Sequence, residues 1–191
     1  MKLRVLVACE YSGKVRDAFT AQGHYALSCD MLETEAPGFH HVGNVLEILD
    51  QDWDLMIAHP PCTHLAVSGA AWFKDKADEQ EQALEFVKKL MEAPIPQICI
   101  ENPVSIISSR IRPPECIVQP YEHGHMEQKT TCLWLKNLPP LRPTHNVYLE
   151  MMKLPKRERE RVHYLPPRPD RWKERSRTFE GIAKAMAEQW G

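Results

Sequence analysis

Apolar residues fall in short continuous blocks, and the stretches between several of these blocks repeat their apolar positions at helical spacing. Residues 3–8 read as a buried strand, 14–22 as a helix closed by Gly23, and 25–28 as a second short strand ending at Cys29-Asp30. A third strand over 55–58 lies between an acidic stretch, 50–54, and His59-Pro60-Pro61. Residues 78–91 place Ala83, Leu84, Val87, Leu90 and Met91 on one helical face and stop before Pro94. Residues 98–100, 117–118 and 131–135 read as later strands, and 179–190 as a closing amphipathic helix. Such alternation predicts an α/β fold with a doubly wound, mostly parallel sheet.

Beyond Leu135 the pattern breaks. Seven of the sixteen prolines lie in 136–175, which predicts an extended, loop-like segment with one short charged helix at 155–161. With 191 residues, no internal repeat and no low-complexity linker, the expectation is one domain over 1–191 carrying a basic, proline-rich loop at 136–177. No apolar run reaches bilayer-spanning length, and the apolar start meets Glu10 too soon for a signal peptide, so a cytoplasmic protein is expected.

Charge changes the picture. The net −2 conceals twelve Lys and Arg against five Asp and Glu in 136–177, a local +7 on a body of −9. A basic segment on an acidic body fits either a polyanion-binding surface or a solvated loop. Within it, Trp172 between Arg171 and Lys173 is a candidate for base stacking, whereas Trp134 falls in a predicted strand and belongs to the core.

The candidate chemistry clusters at the predicted strand ends, where open α/β sheets bind ligands. Cys9-Glu10-Tyr11-Ser12-Gly13 follows the first strand, Asp30 the second, His59-Pro60-Pro61-Cys62 the third, and Glu101-Asn102-Pro103 the next. The first loop would turn backbone N–H groups toward a ligand, with Gly13 allowing close approach. Asp30 stands where an acidic residue accepts ribose hydroxyls, but the loop lacks G-x-G-x-x-G, which disfavours a dinucleotide dehydrogenase. The six cysteines form no C-x-x-C pair, and five sit in or beside apolar runs. Cys62 differs: two prolines fix its approach, as a nucleophile requires. A carboxyl at Glu101 would not favour the thiolate, so its expected partner is the substrate. A cytosine offers a basic N3 and an amine to such a carboxyl, and protonation at N3 would open C6 to a sulfur nucleophile. His123, His125 and His145 lack carboxylate or cysteine partners at matching spacing and read as solvated loop histidines, with no metal site expected.

At these residues the chain resembles the cytosine-C5 DNA methyltransferase family. The stretch from Trp53 through Ala58 into His59-Pro60-Pro61-Cys62 resembles its nucleophile motif, and Ile100-Glu101-Asn102-Pro103 its Glu-Asn-Val motif. Residues 6–19 resemble its first cofactor motif, and Gly43-Asn44-Val45 its Gly-Asp-Ile motif. Glu127-Gln128-Lys129 resembles the end of its Gly-x-Pro-Gln-Arg segment, and Gly181-Ile182-Ala183 its closing motif.

The resemblance implies a Rossmann-like fold of the S-adenosylmethionine-dependent methyltransferase type, with nucleic acid, DNA first, as partner. It implies Cys62 adding to cytosine C6 and Glu101 holding N3. Glu10, Tyr11, Ser12, Gly13, Asp30, Asn44, Val45 and Pro60 would surround S-adenosylmethionine, and Asn102, Gln128, Lys129, Arg171 and Arg175 would meet the substrate. Glu10, Ser12 and His59 stand where the family has glycines, Asn44 where it has Asp, and 136–177 is too short for a separate target-recognition domain. Methylation of RNA or a free nucleotide, and a catalytically degenerate nucleic-acid-binding protein, are the alternative readings.

Overall fold

The computed structural model describes residues 1–67 and 77–191. Its framework is a seven-stranded sheet. In chain order the strands are β1 (Arg4–Ala8), β2 (Tyr25–Asp30), β3 (His40–Val42), β4 (Leu55–Ala58), β5 (Gln97–Pro103), β6 (Cys116–Val118) and β7 (Thr131–Lys136). They lie in the order β3-β2-β1-β4-β5-β7-β6, all parallel except β7, which runs antiparallel to both neighbours. The helices are α1 (Lys14–Ala21), α2 (Ala77–Met91), α3 (Ile107–Arg110), α4 (Tyr148–Met151), α5 (Lys156–Arg159), α6 (Arg171–Ser176) and α7 (Glu180–Trp190).

Period-two side-chain alternation sorts the strand residues onto two covered faces. Leu6, Ala8, Met56, Ala58, Ile98, Ile100 and Trp134 pack with Leu84, Val87 and Leu90 of α2 on one side. Val5, Val7, Leu55, Ile57, Cys99 and Leu133 pack with Val15 and Phe19 of α1 and with Ile182, Ala183 and Met186 of α7 on the other. Trp134 is buried, its indole N–H donating to the Arg112 carbonyl at 2.7 Å, as a core tryptophan requires.

The structure departs from the sequence reading in three places. The strand expected at 98–100 extends through Glu101, Asn102 and Pro103, because β7 pairs with all three. Strand β3 has no apolar run and exists by parallel pairing with β2. The 136–177 segment, expected as loop with one helix, holds three short helices, α4, α5 and α6.

One buried charge organises the loop after β2. Arg16 on α1 is only 1% exposed. Its guanidinium donates to the Ser28 and Thr34 hydroxyls and to the Ala36 and Pro37 carbonyls, all at 3.1 Å, and to the Asp17 carboxylate at 2.8 Å. Gly13 and Gly38, both at positive φ, leave the space it fills: a Cβ at either would stand within 2.4–2.6 Å of the guanidinium. Arg16→Met should therefore remove the one donor that these five acceptors share and cost about 3 kcal/mol of stability. Urea denaturation checks this, with a lowered midpoint at unchanged slope as the expected result.

Candidate active site

The strand order reverses between β1 and β4, and the predicted polar residues collect beyond the carboxyl ends of these strands and their neighbours. Ala8 pairs in register with Cys29 of β2 and with Ala58 of β4, and Ala58 pairs with Ile100 of β5. The next residues, Cys9, Asp30, His59 and Glu101, therefore begin a common layer.

On the β1 side, Glu10 is buried. Its carboxylate accepts the backbone N–H groups of Val15 at 2.7 Å and Arg16 at 3.2 Å, and the Ser12 hydroxyl at 3.3 Å. It closes the α1 N-terminus, so the Glu10 carboxylate is committed to this helix. The N–H groups of Tyr11, Ser12 and Gly13 are different: none has an acceptor among the described residues, although all three residues are buried. Such a run of unpaired amides is a ready site for a ligand's oxygen atoms. Asp30, partly exposed, accepts one bond, from Leu32 N–H at 3.0 Å. Asn44 caps a one-turn 3₁₀ helix, Val45–Glu47, through Leu46 N–H, and Val45 points into the core.

On the β4 side, Cys62 is exposed and Pro60 buried. Asn102 is 1% exposed and donates from Nδ2 to the Pro60 carbonyl at 2.8 Å. Asn102 thus braces the Pro-Pro turn from β5, and its expected place against the substrate is corrected to one behind the loop that presents Cys62. Glu101 receives the His59 Nδ1 proton on Oε2 at 2.8 Å, a pairing the sequence reading missed. Its only sequence signal was a histidine where the resembling motif has glycine.

The electrostatics follow from this packing. Although the Cys62 residue is exposed at the surface, the protein packed around its sulfur desolvates the thiol and raises it above its ordinary range; Glu101 adds to the effect, with Lys129 and Arg175 opposing. Burial alone would lower the His59 imidazole. The hydrogen bond and charge of Glu101, with Glu10 behind them, outweigh it and Lys129, and leave the imidazole above its ordinary value. For Glu101 burial works upward, and His59, with Lys129, carries it below the ordinary carboxylate range. Both shifts run in the direction that favours the imidazolium–carboxylate form of the pair.

The 163–177 stretch folds back over this edge. The Tyr11 hydroxyl donates to the Lys173 carbonyl at 2.8 Å and shares a hydrogen bond with Ser176 at 2.9 Å. Arg177 forms a two-toothed bridge to Glu35, at 2.8 and 2.9 Å, and Lys129 Nζ donates to the Arg175 carbonyl at 2.8 Å. Trp172 packs near Tyr11, ring centres 5.8 Å apart, and stays 50% exposed. Arg171 donates to the His163 carbonyl, and Gln128 is held through its backbone N–H by Arg159. The site therefore brings Glu10, Cys62, Glu101, Lys129 and Arg175 together, while Gln128 and Arg171 serve the packing of the 136–177 segment.

The histidines need a correction. His123 is buried, with Nδ1 on the Thr144 hydroxyl at 3.1 Å, and His125 Nε2 accepts the Gly181 N–H at 2.9 Å; only His145 is exposed. Among the described residues no cluster could hold a metal ion, and no helix is long and apolar enough to cross a membrane.

No protein-family model matches the sequence, and no curated protein matches it significantly. Among solved structures, the Entamoeba histolytica methyltransferase EhMeth is similar over 76% of this chain and 58% of its own, at 16% identity and a TM-score of 0.55. A protein assigned as a DNA modification methyltransferase encoded within a prophage, from E. coli, is similar over 70% of this chain and 46% of its own, at 12% identity and a TM-score of 0.48. The chain spans about half the length of these structures. With the seven-stranded, mostly parallel sheet and helices on both faces, the likeness to EhMeth establishes an α/β, Rossmann-like fold of the methyltransferase type.

Proposed function

We propose that the protein is an S-adenosylmethionine-dependent methyltransferase that acts on cytosine C5 in nucleic acid, DNA first, through a covalent bond to Cys62. The observation that carries this reading is one exposed thiol in the loop after β4, beside the Glu101 carboxylate of β5, near the reversal of strand order.

The residues present fit the cofactor. The three unpaired amides at 11–13 suit its carboxylate, and Asp30, with one oxygen uncommitted among the described residues, suits its ribose hydroxyls. Asn44 lies beside this edge. When bound, the cofactor supplies an electrophilic methyl group. Calorimetry should show S-adenosylmethionine binding, weakened at least tenfold by Asp30→Ala; no binding heat would favour the degenerate binding protein, for which Glu10 on the α1 N-terminus is the supporting observation.

The chain's own part is to make a poor carbon nucleophile reactive. The Cys62 sulfur adds to C6, and electron density moves toward C5 and N3. Glu101 faces the ring edge. Lys129 and Arg175 lie close enough to favour the thiolate that burial disfavours. A base in a duplex must leave the stack to reach the sulfur, at a cost of a few kcal/mol, so single-stranded and mismatched sites should react faster.

Cys62→Ala should abolish methyl transfer from labelled cofactor while leaving cofactor binding unchanged. DNA carrying 5-fluorocytosine should leave a wild-type adduct that survives a denaturing gel, and none with Cys62→Ala. Full activity in Cys62→Ala would sink the mechanism. Because the thiol is raised, alkylation of Cys62 by iodoacetamide should climb about tenfold per pH unit from 7 to 9, and Lys129→Ala should slow it at every pH in that window.

The basic segment is the proposed nucleic-acid contact. Four of its twelve cations, Lys156, Arg161, Arg168 and Arg177, already pair with carboxylates. Arg157 and Arg175 have no carboxylate partner among the described residues. Each replaced by Ala should flatten the dependence of log affinity on log salt by about 0.7–0.9. Titrations at several salt concentrations check this, and an unchanged slope in both variants excludes the segment.

A further inference from the structure

We infer that His59 stores the proton that the substrate ring takes up, delivering it through Glu101 to pyrimidine N3 as Cys62 adds to C6. The inference rests on the proposed reaction and assigns it a residue that the resembling motif does not contain.

Geometry supports it in three ways. The His59 Nδ1 to Glu101 Oε2 contact is 2.8 Å, and the two side chains are only 9% and 15% exposed, so solvent scarcely competes for the shared proton. His59 Nε2 is buried with no hydrogen-bond partner, which leaves Glu101 as the single anchor of the ring. The second carboxylate oxygen, Oε1, has neither a partner among the described residues nor a place among the buried unpaired atoms, and so remains available to a ligand. The charged groups around His59 are Glu101 from β5, Glu10 from the loop after β1 and Lys129 from the segment before β7. Two anions face one cation, and the pair titrates as a unit rather than as two independent groups.

This arrangement settles a conflict in the simpler reading. A carboxylate held in ionic form by an imidazolium has no proton of its own to give to N3. The pair does have one. In the step proposed, the His59 Nδ1–H bond breaks and an O–H bond forms on Glu101. The carboxyl turns to the ring, its O–H bond breaks, and N3–H forms. The imidazole is left neutral with its proton on Nε2, and the carboxylate is restored. The ring's added positive charge offsets the electron pair that the sulfur brings to C6. Glu101 is the catalytic residue, in contact with the ring, and His59 is a positioning residue acting through it.

The test combines NMR titration of histidine-labelled protein with pH profiles of single-turnover methyl transfer. In the wild type, the signal lost in His59→Gln should titrate above the ordinary histidine range, and in Glu101→Gln below it. Alkylation of Cys62 needs only the thiolate and should rise steadily with pH. Methyl transfer needs thiolate and imidazolium together, so it should rise and then bend to a plateau where His59 loses its proton. His59→Gln should abolish the bend and lower kcat about 100-fold with KM for DNA within twofold. Thermal unfolding confirms that the variant is folded, and His59→Asn serves in its place if it is not. A His59 signal indifferent to Glu101→Gln overturns the inference, as does transfer without a bend in the wild type or near-normal kcat in a folded His59 variant. Absence of methyl transfer with every nucleic acid overturns the proposed reaction, and the proton role with it. Transfer with an unbent profile overturns the proton role alone.

Discussion

Parallel pairing of β1 with both β2 and β4, and of β4 with β5, is the constraint on which the site depends. The registers Ala8↔Cys29, Ala8↔Ala58 and Ala58↔Ile100 bring four strands to nearly the same height. Slipping one strand by one residue would turn its inward side chains to the opposite face. Both faces are buried under helices, so the apolar sets on each side hold the register: Leu6 and Ala8 against α2, Val5 and Val7 against α1 and α7. Asn102, on β5, then reaches across to the Pro60 carbonyl and transmits that register to the loop carrying Cys62. The thiol's position is thus inherited from the core.

Above this layer the charges balance locally. Glu10 spends its carboxylate on the α1 amides, accepting from Val15 and Arg16 N–H. Glu101 remains ionic through His59. A negative group beside a thiol works to keep it protonated, and the cations that oppose Glu101 at Cys62, Lys129 and Arg175, come from the segment before β7 and from α6. The folded-back 163–177 stretch therefore does more than cover the edge. Tyr11, Glu35 and Lys129 hold it down at three separate points, and with it Arg175, whose charge favours the thiolate.

What could be read from the sequence was whatever repeats with a period. Strands β1, β2, β4 and β7 and helices α1, α2 and α7 were visible because their burial is periodic or continuous. Strand β3, His40-His41-Val42, carries no such signal; its backbone is recruited by β2. Helices α4 and α6 are too short to show a period, and α6 is fixed by Tyr11 more than 160 residues away in sequence. The cluster at the strand ends was legible because doubly wound sheets place ligands there. The use of its members was not. Glu10 turned to its own helix, Asn102 to a carbonyl and Glu101 to His59, because each buried polar group must find a partner and the partner lies on another element. Arg16 illustrates the limit: an arginine between Val15 and Phe19 on a short helix reads as a surface residue, yet the loop after β2 is built around it.

The same requirement explains why the three amides at 11–13 matter more than the side chains around them. The polar side chains of this loop and of α1 beside it are satisfied internally: the Glu10 carboxylate by α1, the Tyr11 hydroxyl by α6, the Arg16 guanidinium by the loop after β2. Buried amides left without an acceptor cost about 1–3 kcal/mol each. A fold that satisfies the side chains around them so fully, and leaves these three unpaired at the reversal of strand order, gains most from a ligand that carries oxygen atoms to that point. That gain is independent of whether glycines occupy positions 10 and 12, since it is the backbone that supplies the donors. Glu10 and Ser12 therefore alter how the loop is held and leave what it offers unchanged.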